Sequence, residues 1–133
     1  MFLPLLLALT ATFASPAPLS ADAASSTPQN PETIGAYVKQ YYADTPILAD
    51  IAWCESRDRQ WNPDGTVFHG AVNHYDVGLM QINSLYHEDK ATALGMDIYT
   101  LPGNLEYAQA LYDKEGTKPW ASSEVCWDKL SKK

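Results

Sequence analysis

Positive charge is in short supply: 9 Lys and Arg stand against 16 Asp and Glu, for a formal net charge of −7. With no basic surplus to neutralise phosphates, nucleic acid is not an expected partner. Long-range attraction to a polyanionic surface is excluded as well, so recognition of one would have to rest on short-range hydrogen bonds and aromatic stacking. Cysteine is limited to Cys54 and Cys126. That rules out a disulfide-dense scaffold and leaves one intramolecular pairing if the chain is exported, or two buried thiols in a reducing compartment. The three histidines, His69, His74 and His87, lack ligand-like spacing with the cysteines, and the Asp58–Asp64 stretch lacks the closing carboxylate of a calcium loop. No metal and no cofactor are therefore expected. Nor is there an apolar run of the roughly 18 residues that a membrane-spanning helix needs.

The longest such run, Phe2–Ala14, holds thirteen apolar or small residues. It is too short to cross a bilayer and long enough for the core of a signal peptide, although no Lys or Arg precedes Phe2. Ala21-Asp22-Ala23 offers a small-x-small cleavage site, and Ala11–Ala14 an earlier one. Ser15–Pro31 is rich in Pro, Ala and Ser and too poor in large side chains to order itself. The expected organisation is a signal peptide over 1–23, a flexible linker over 24–30 and a single domain over 31–133. Localisation is expected outside the cytoplasm, as a secreted, periplasmic or wall-associated monomer with no stable membrane insertion once the signal is removed. Under oxidising conditions a Cys54–Cys126 bond would close most of the domain into one loop, for about 4 kcal/mol of stabilisation in the loop-entropy picture.

Helix signals run through the domain. Asn30-Pro31-Glu32 opens one helix, with Ile34, Tyr37, Val38 and Tyr41 on a single face. Thr45-Pro46 opens a second, to about Ser56, in which Ile47, Ile51 and Glu55 stack at i, i+4 and i+8. Glu55 thus falls on the apolar stripe and at the negative end of the helix dipole. Both effects disfavour its charged form and suit it to hold a proton near neutral pH. The bland alternative is a helix-end glutamate paired with Arg57 or Arg59. Asn62-Pro63-Asp64-Gly65 marks a turn, and Thr66–Tyr75 predicts a small hairpin or irregular flap. Ser84 is expected to cap a helix ending at Gly95, and Pro102 or Gly103 to precede another carrying Leu105, Ala108, Leu111 and Tyr112 on one face. A last helix is expected from Ser122 or Ser123 to Leu130.

Glu55-Ser56-Arg57, then Asp76-Val77-Gly78-Leu79-Met80-Gln81-Ile82-Asn83-Ser84, Ala93-Leu94-Gly95 and Asn104-Leu105-Glu106-Tyr107-Ala108 occur in this order. In combination they resemble the SLT-type lytic transglycosylases of the lysozyme-like superfamily, over about Ile47 to Trp127. The resemblance implies a mainly α, lysozyme-like α+β domain with a short hairpin beside a glycan groove. It further implies bacterial peptidoglycan as substrate, with Glu55 as the catalytic acid and base. By the same resemblance Ser56, Gly78, Leu79, Met80, Gln81, Asn83, Asn104, Tyr112 and Trp120 would contact glycan or line its groove. The familiar Ala-Tyr-Asn-Ala-Gly segment is replaced by Lys118-Pro119-Trp120-Ala121-Ser122-Ser123-Glu124-Val125-Cys126-Trp127. A cysteine just before the glutamate, with Trp and Cys near the end, is instead similar to resuscitation-promoting factors. Asp76 in Asp-x-Gly-x-x-Gln-Ile-Asn-Ser also resembles the aspartate of animal-type lysozymes. A hydrolase using Glu55 and Asp76 therefore stands as the alternative, and a non-catalytic glycan-binding module as a third reading. Of Trp53, Trp61, Trp120 and Trp127, one or two are expected to touch sugar and the others to serve the core.

Overall fold

The computed structural model describes residues 30–133, so the expected signal peptide and nearly all of the linker lie outside the described residues. Helix α1 (Pro31–Tyr41) starts where the sequence predicts. The Asn30 carboxamide oxygen accepts from the Glu32 and Thr33 amides at 2.9 and 3.4 Å, with Pro31 in the first turn. Its apolar face buries Ile34 and Val38. Helix α2 (Pro46–Ser56) also opens on proline, but Thr45 does not cap it. The Thr45 hydroxyl instead donates to Gln109 Oε1 at 2.8 Å, tying the start of α2 to a later helix. Leu48, Ile51 and Ala52 are buried, and the helix ends at Arg57, whose φ of 57° is left-handed.

Residues 57–75 form an irregular flap, stitched by single bridges between Trp61 and Val67 and between His69 and Val77. The regular hairpin lies further on than the predicted 66–75. Strands β1 (Asp76–Val77) and β2 (Ile82–Asn83) pair antiparallel with Asp76 opposite Asn83 and Val77 opposite Ile82. Helix α3 (Ser84–Ala93) follows directly, with Asn83 rather than Ser84 in the cap position, and the chain leaves it through Gly95. Helix α4 (Leu101–Glu115) begins slightly earlier than predicted, because the Thr100 hydroxyl accepts from the Gly103 amide and so places Pro102 and Gly103 inside the first turn. A 3-10 segment (Lys118–Ser123) leads into α5 (Glu124–Ser131).

The domain is therefore mainly helical with a two-stranded antiparallel sheet. One core joins Ile34, Val38, Leu48 and Ile51 to Leu79, Met80, Leu101, Leu105, Ala108, Trp120 and Trp127. Each large side chain removed from water there contributes about 1.5–3 kcal/mol. Helices α1 and α5 both pack on α2, and the Cys54–Cys126 disulfide joins α2 to α5 across 72 residues of sequence. Among the described residues no helix is long and apolar enough to cross a membrane.

Candidate active site

Glu55 sits on the last turn of α2, one residue after the disulfide anchor Cys54. The anchor holds α5 and the preceding 3-10 segment against this turn. Ser123, three residues before Cys126, thereby comes within 2.5 Å of Glu55, its hydroxyl donating to Oε1. Across the cleft stand Asp76, Gln81, Ile82 and Asn83 from the hairpin and Tyr86 and His87 from α3, with Leu111, Pro119, Trp120 and Ser122 completing a hollow of about 300 Å³. Glu55 is half-buried. Desolvation pushes its carboxyl above the usual range, the Ser123 hydrogen bond opposes that, and the negative charge of Asp76 adds to the rise. A carboxyl with those surroundings holds its proton to higher pH than a solvated one and is still stabilised once it has given the proton up. Neither Arg57 nor Arg59 pairs with it: Arg57 donates to the Trp53 carbonyl at 2.9 Å and Arg59 stacks on Phe68.

Asp76 is held from its own side of the cleft. Its Oδ1 accepts from Asn83 Nδ2 at 3.0 Å and from Asn73 Nδ2 at 3.4 Å. The Asn83 Oδ1 atom is buried without a hydrogen-bond partner among the described residues, an acceptor left free in a cleft wall. Gln81, at a left-handed φ of 50°, donates from Nε2 to the Gly78 carbonyl and lines the same hollow.

Several expected glycan contacts occupy other places. Leu79 and Met80 are fully buried core residues, not groove wall. Gly78 is buried too, at a left-handed φ of 68°, and a Cβ there would lie 2.6–2.8 Å from the carboxamides of Gln60 and Asn104. The reason is an amide clamp. Asn104, wholly buried, accepts from the Met80 amide at 2.8 Å and donates to the Val77 and Ile98 carbonyls. Gln60 accepts from the Leu79 amide at 2.8 Å and donates to the Tyr99 carbonyl. Asn104 therefore shapes the site without touching the cleft. Ser56 is likewise internal: its hydroxyl donates to Ala52 and accepts from the Arg59 amide. Tyr112 packs at the edge of the core and does not line the cleft. Trp120 borders the hollow but is almost fully buried, its indole N–H spent on the Met80 carbonyl at 2.9 Å, so it forms floor and no exposed stacking face. Of the other tryptophans, Trp127 is buried, donating to the Trp120 carbonyl, and Trp53 faces elsewhere.

Tyr86 and His87, which line the cleft, and Ser123, which bonds Glu55, are site residues that motif reading missed. For Ser123 the signal was present, since a Cys54–Cys126 bond brings the turn before Cys126 to the turn carrying Glu55. His87 is tied to the Tyr107 hydroxyl at 2.9 Å, and burial followed by the charge of Lys90 lowers its pKa against the pull of Glu115, so it faces the cleft as a neutral ring at neutral pH. No three His, Cys, Asp or Glu side chains converge as a metal site among the described residues. Comparisons of the chain with protein-family models, with curated proteins and with solved structures give no match.

Proposed function

We propose that this protein is a secreted, peptidoglycan-cleaving lytic transglycosylase with a lysozyme-like fold, acting on the β-1,4 bond between N-acetylmuramic acid and N-acetylglucosamine. The observation that carries the reading is Glu55 itself, a half-buried carboxyl in a polar hollow, with its pKa raised by burial and one oxygen fixed by Ser123. Protonated Glu55 gives its proton to the bridging oxygen as the C1–O bond breaks, and the N-acetylglucosamine side leaves with a free 4-hydroxyl. Glu55, now a carboxylate, takes the proton of the muramic acid's own 6-hydroxyl while O6 bonds to C1. The result is an anhydro end, formed without consuming water. Ser123 suits both stages. Its single proton can be donated to ionised Glu55 or turned toward the Trp120 carbonyl, 3.2 Å away, when Glu55 carries its own.

A second reading is favoured by one observation: Asp76 lines the same hollow, near enough for its charge to act on Glu55. In that reading the enzyme is a lysozyme, with Asp76 as the second carboxylate and water as the acceptor. Mass spectrometry of the fragments released from purified peptidoglycan separates the two. Anhydro-muramic ends support the transglycosylase, reducing ends support the hydrolase and place Asp76 in the mechanism, and release of no fragments at all would leave only a glycan-binding module.

A further inference from the structure

A groove of about 870 Å³ lies away from Glu55, between α1, the outer face of α2 and Leu130 of α5. Trp53, on that face, is two residues before Glu55, about 200° around the helix. Its indole is 46% exposed and carries the Arg57 guanidinium at 5.1 Å from the ring centroid. Arg57 and Asp58 are consecutive non-glycine residues in left-handed conformation, with φ of 57° and 58°. That costs backbone energy twice over, and such strain collects where a chain must aim a side chain. The side chain aimed is Asp58. The residue is 8% exposed and lines the groove, and among the described residues no hydrogen bond holds its carboxylate; Lys39 is the charge that favours its ionised form. Room for it comes from α1, where a Cβ on Gly35 would lie 2.7 Å from Asp58 Oδ2. A half-buried carboxylate that no protein donor holds and that opens to a groove is free to accept hydrogen bonds from a ligand.

The lining sets the class of ligand. Glu32, Asp50 and Asp58 balance Lys39, Arg57 and Arg59, so the groove calls for no net charge. It offers acceptors and donors together on mainly apolar walls with an exposed indole, at a volume usual for ligand pockets. We infer that this groove is a second glycan-binding site, in which a neutral N-acetylated sugar lies against Trp53 and donates hydroxyl hydrogen bonds to Asp58. Its role rests on the glycan-cleaving reading above: it would hold a strongly acidic enzyme on a polyanionic wall while the opposite face of α2 presents Glu55. Its occupancy does not depend on turnover.

The test uses the Glu55→Gln protein, so that no ligand is consumed, titrated with a soluble β-1,4-linked N-acetylglucosamine tetramer and followed by amide and indole NMR. The Trp53 indole and Gly35 amide signals shift and saturate; Trp53→Ala and Asp58→Asn each weaken that response at least about tenfold, while shifts at Gln81 and Tyr86 in the other cleft persist. Asparagine tolerates the left-handed conformation, so Asp58→Asn keeps the test valid if Trp53→Ala perturbs the helix. The inference is overturned if Trp53 and Gly35 stay still while the Glu55 cleft responds, if they respond only to a lysine-containing tetrapeptide, or if the two variants leave the response unchanged. Loss of shifts at Gln81 and Tyr86, with Trp53 still responding, would instead count against the catalytic reading.

Discussion

Opening the Cys54–Cys126 bridge, by the double substitution Cys54→Ala/Cys126→Ala, is expected to destabilise the domain strongly. The bridge closes 72 residues, and restoring that freedom to the unfolded chain costs about 4 kcal/mol in the loop-entropy picture. A domain of this size has about 5–15 kcal/mol in all, so between a quarter and most of its stability is at stake. Both half-buried cysteines lie at the α2–α5 contact, and the loss of two sulfurs there adds a smaller packing cost in the same direction. Guanidinium unfolding followed by the fluorescence of buried Trp120 and Trp127 measures the change. With an m-value of about 3–4 kcal/mol/M, the midpoint falls by about 1 M. A loss below about 1 kcal/mol, with two-state behaviour and m unchanged, would refute the reasoning, because the unfolded chain would then have gained no freedom worth counting.

Stability should also report the state of Glu55. Its folded pKa lies above the unfolded value of about 4.3, so the native state binds more protons, and stability is lost as pH rises from that value through the folded pKa. Glu55→Gln is therefore expected to match the parent in thermal midpoint at pH 3.5 and to exceed it at pH 7.5; a higher midpoint for the parent at pH 7.5 would contradict the burial argument. Ser123→Ala removes the hydrogen bond that favours ionised Glu55, so the alkaline limb of kcat/KM should move to higher pH, and an unmoved or lowered limb would sink the positioning role given to Ser123. Asn104→Ala leaves the Met80 amide and the Val77 and Ile98 carbonyls without their partner, for a loss of about 3 kcal/mol in chemical unfolding, whereas Tyr112→Phe should change both stability and turnover little.

Much of the helical framework could be read before the fold was known, because the Asn30 cap and the prolines Pro31 and Pro46 in first turns are local signals whose physics does not wait for tertiary contacts, whereas Thr45 serves a tertiary bond to Gln109. Glu55 was legible for a related reason: the i, i+4, i+8 stripe that carries Ile51 inward carries the glutamate to a cleft edge. The residues after Asp76 were harder. They look like one continuous groove-lining motif, but left-handed turns at Gly78 and Gln81 throw Leu79 and Met80 into the core and return the chain to the cleft only from Gln81 onward. A linear motif cannot show that reversal. Asn104 and Gln60 likewise look like surface amides until the turn they clamp is folded, since their partners in that turn lie 19–27 residues away along the chain. The Trp53–Asp58 groove left no pattern at all, because it depends on two strained residues and on the space left by Gly35 across a helix interface.

The central claim is that Glu55 breaks glycosidic bonds in peptidoglycan, and its most direct test is the release of soluble muropeptides from purified walls by the oxidised protein beside Glu55→Gln. The account predicts release by the parent and a loss of at least about a hundredfold in the variant, with its fold verified by circular dichroism. Comparable release by both proteins would contradict it.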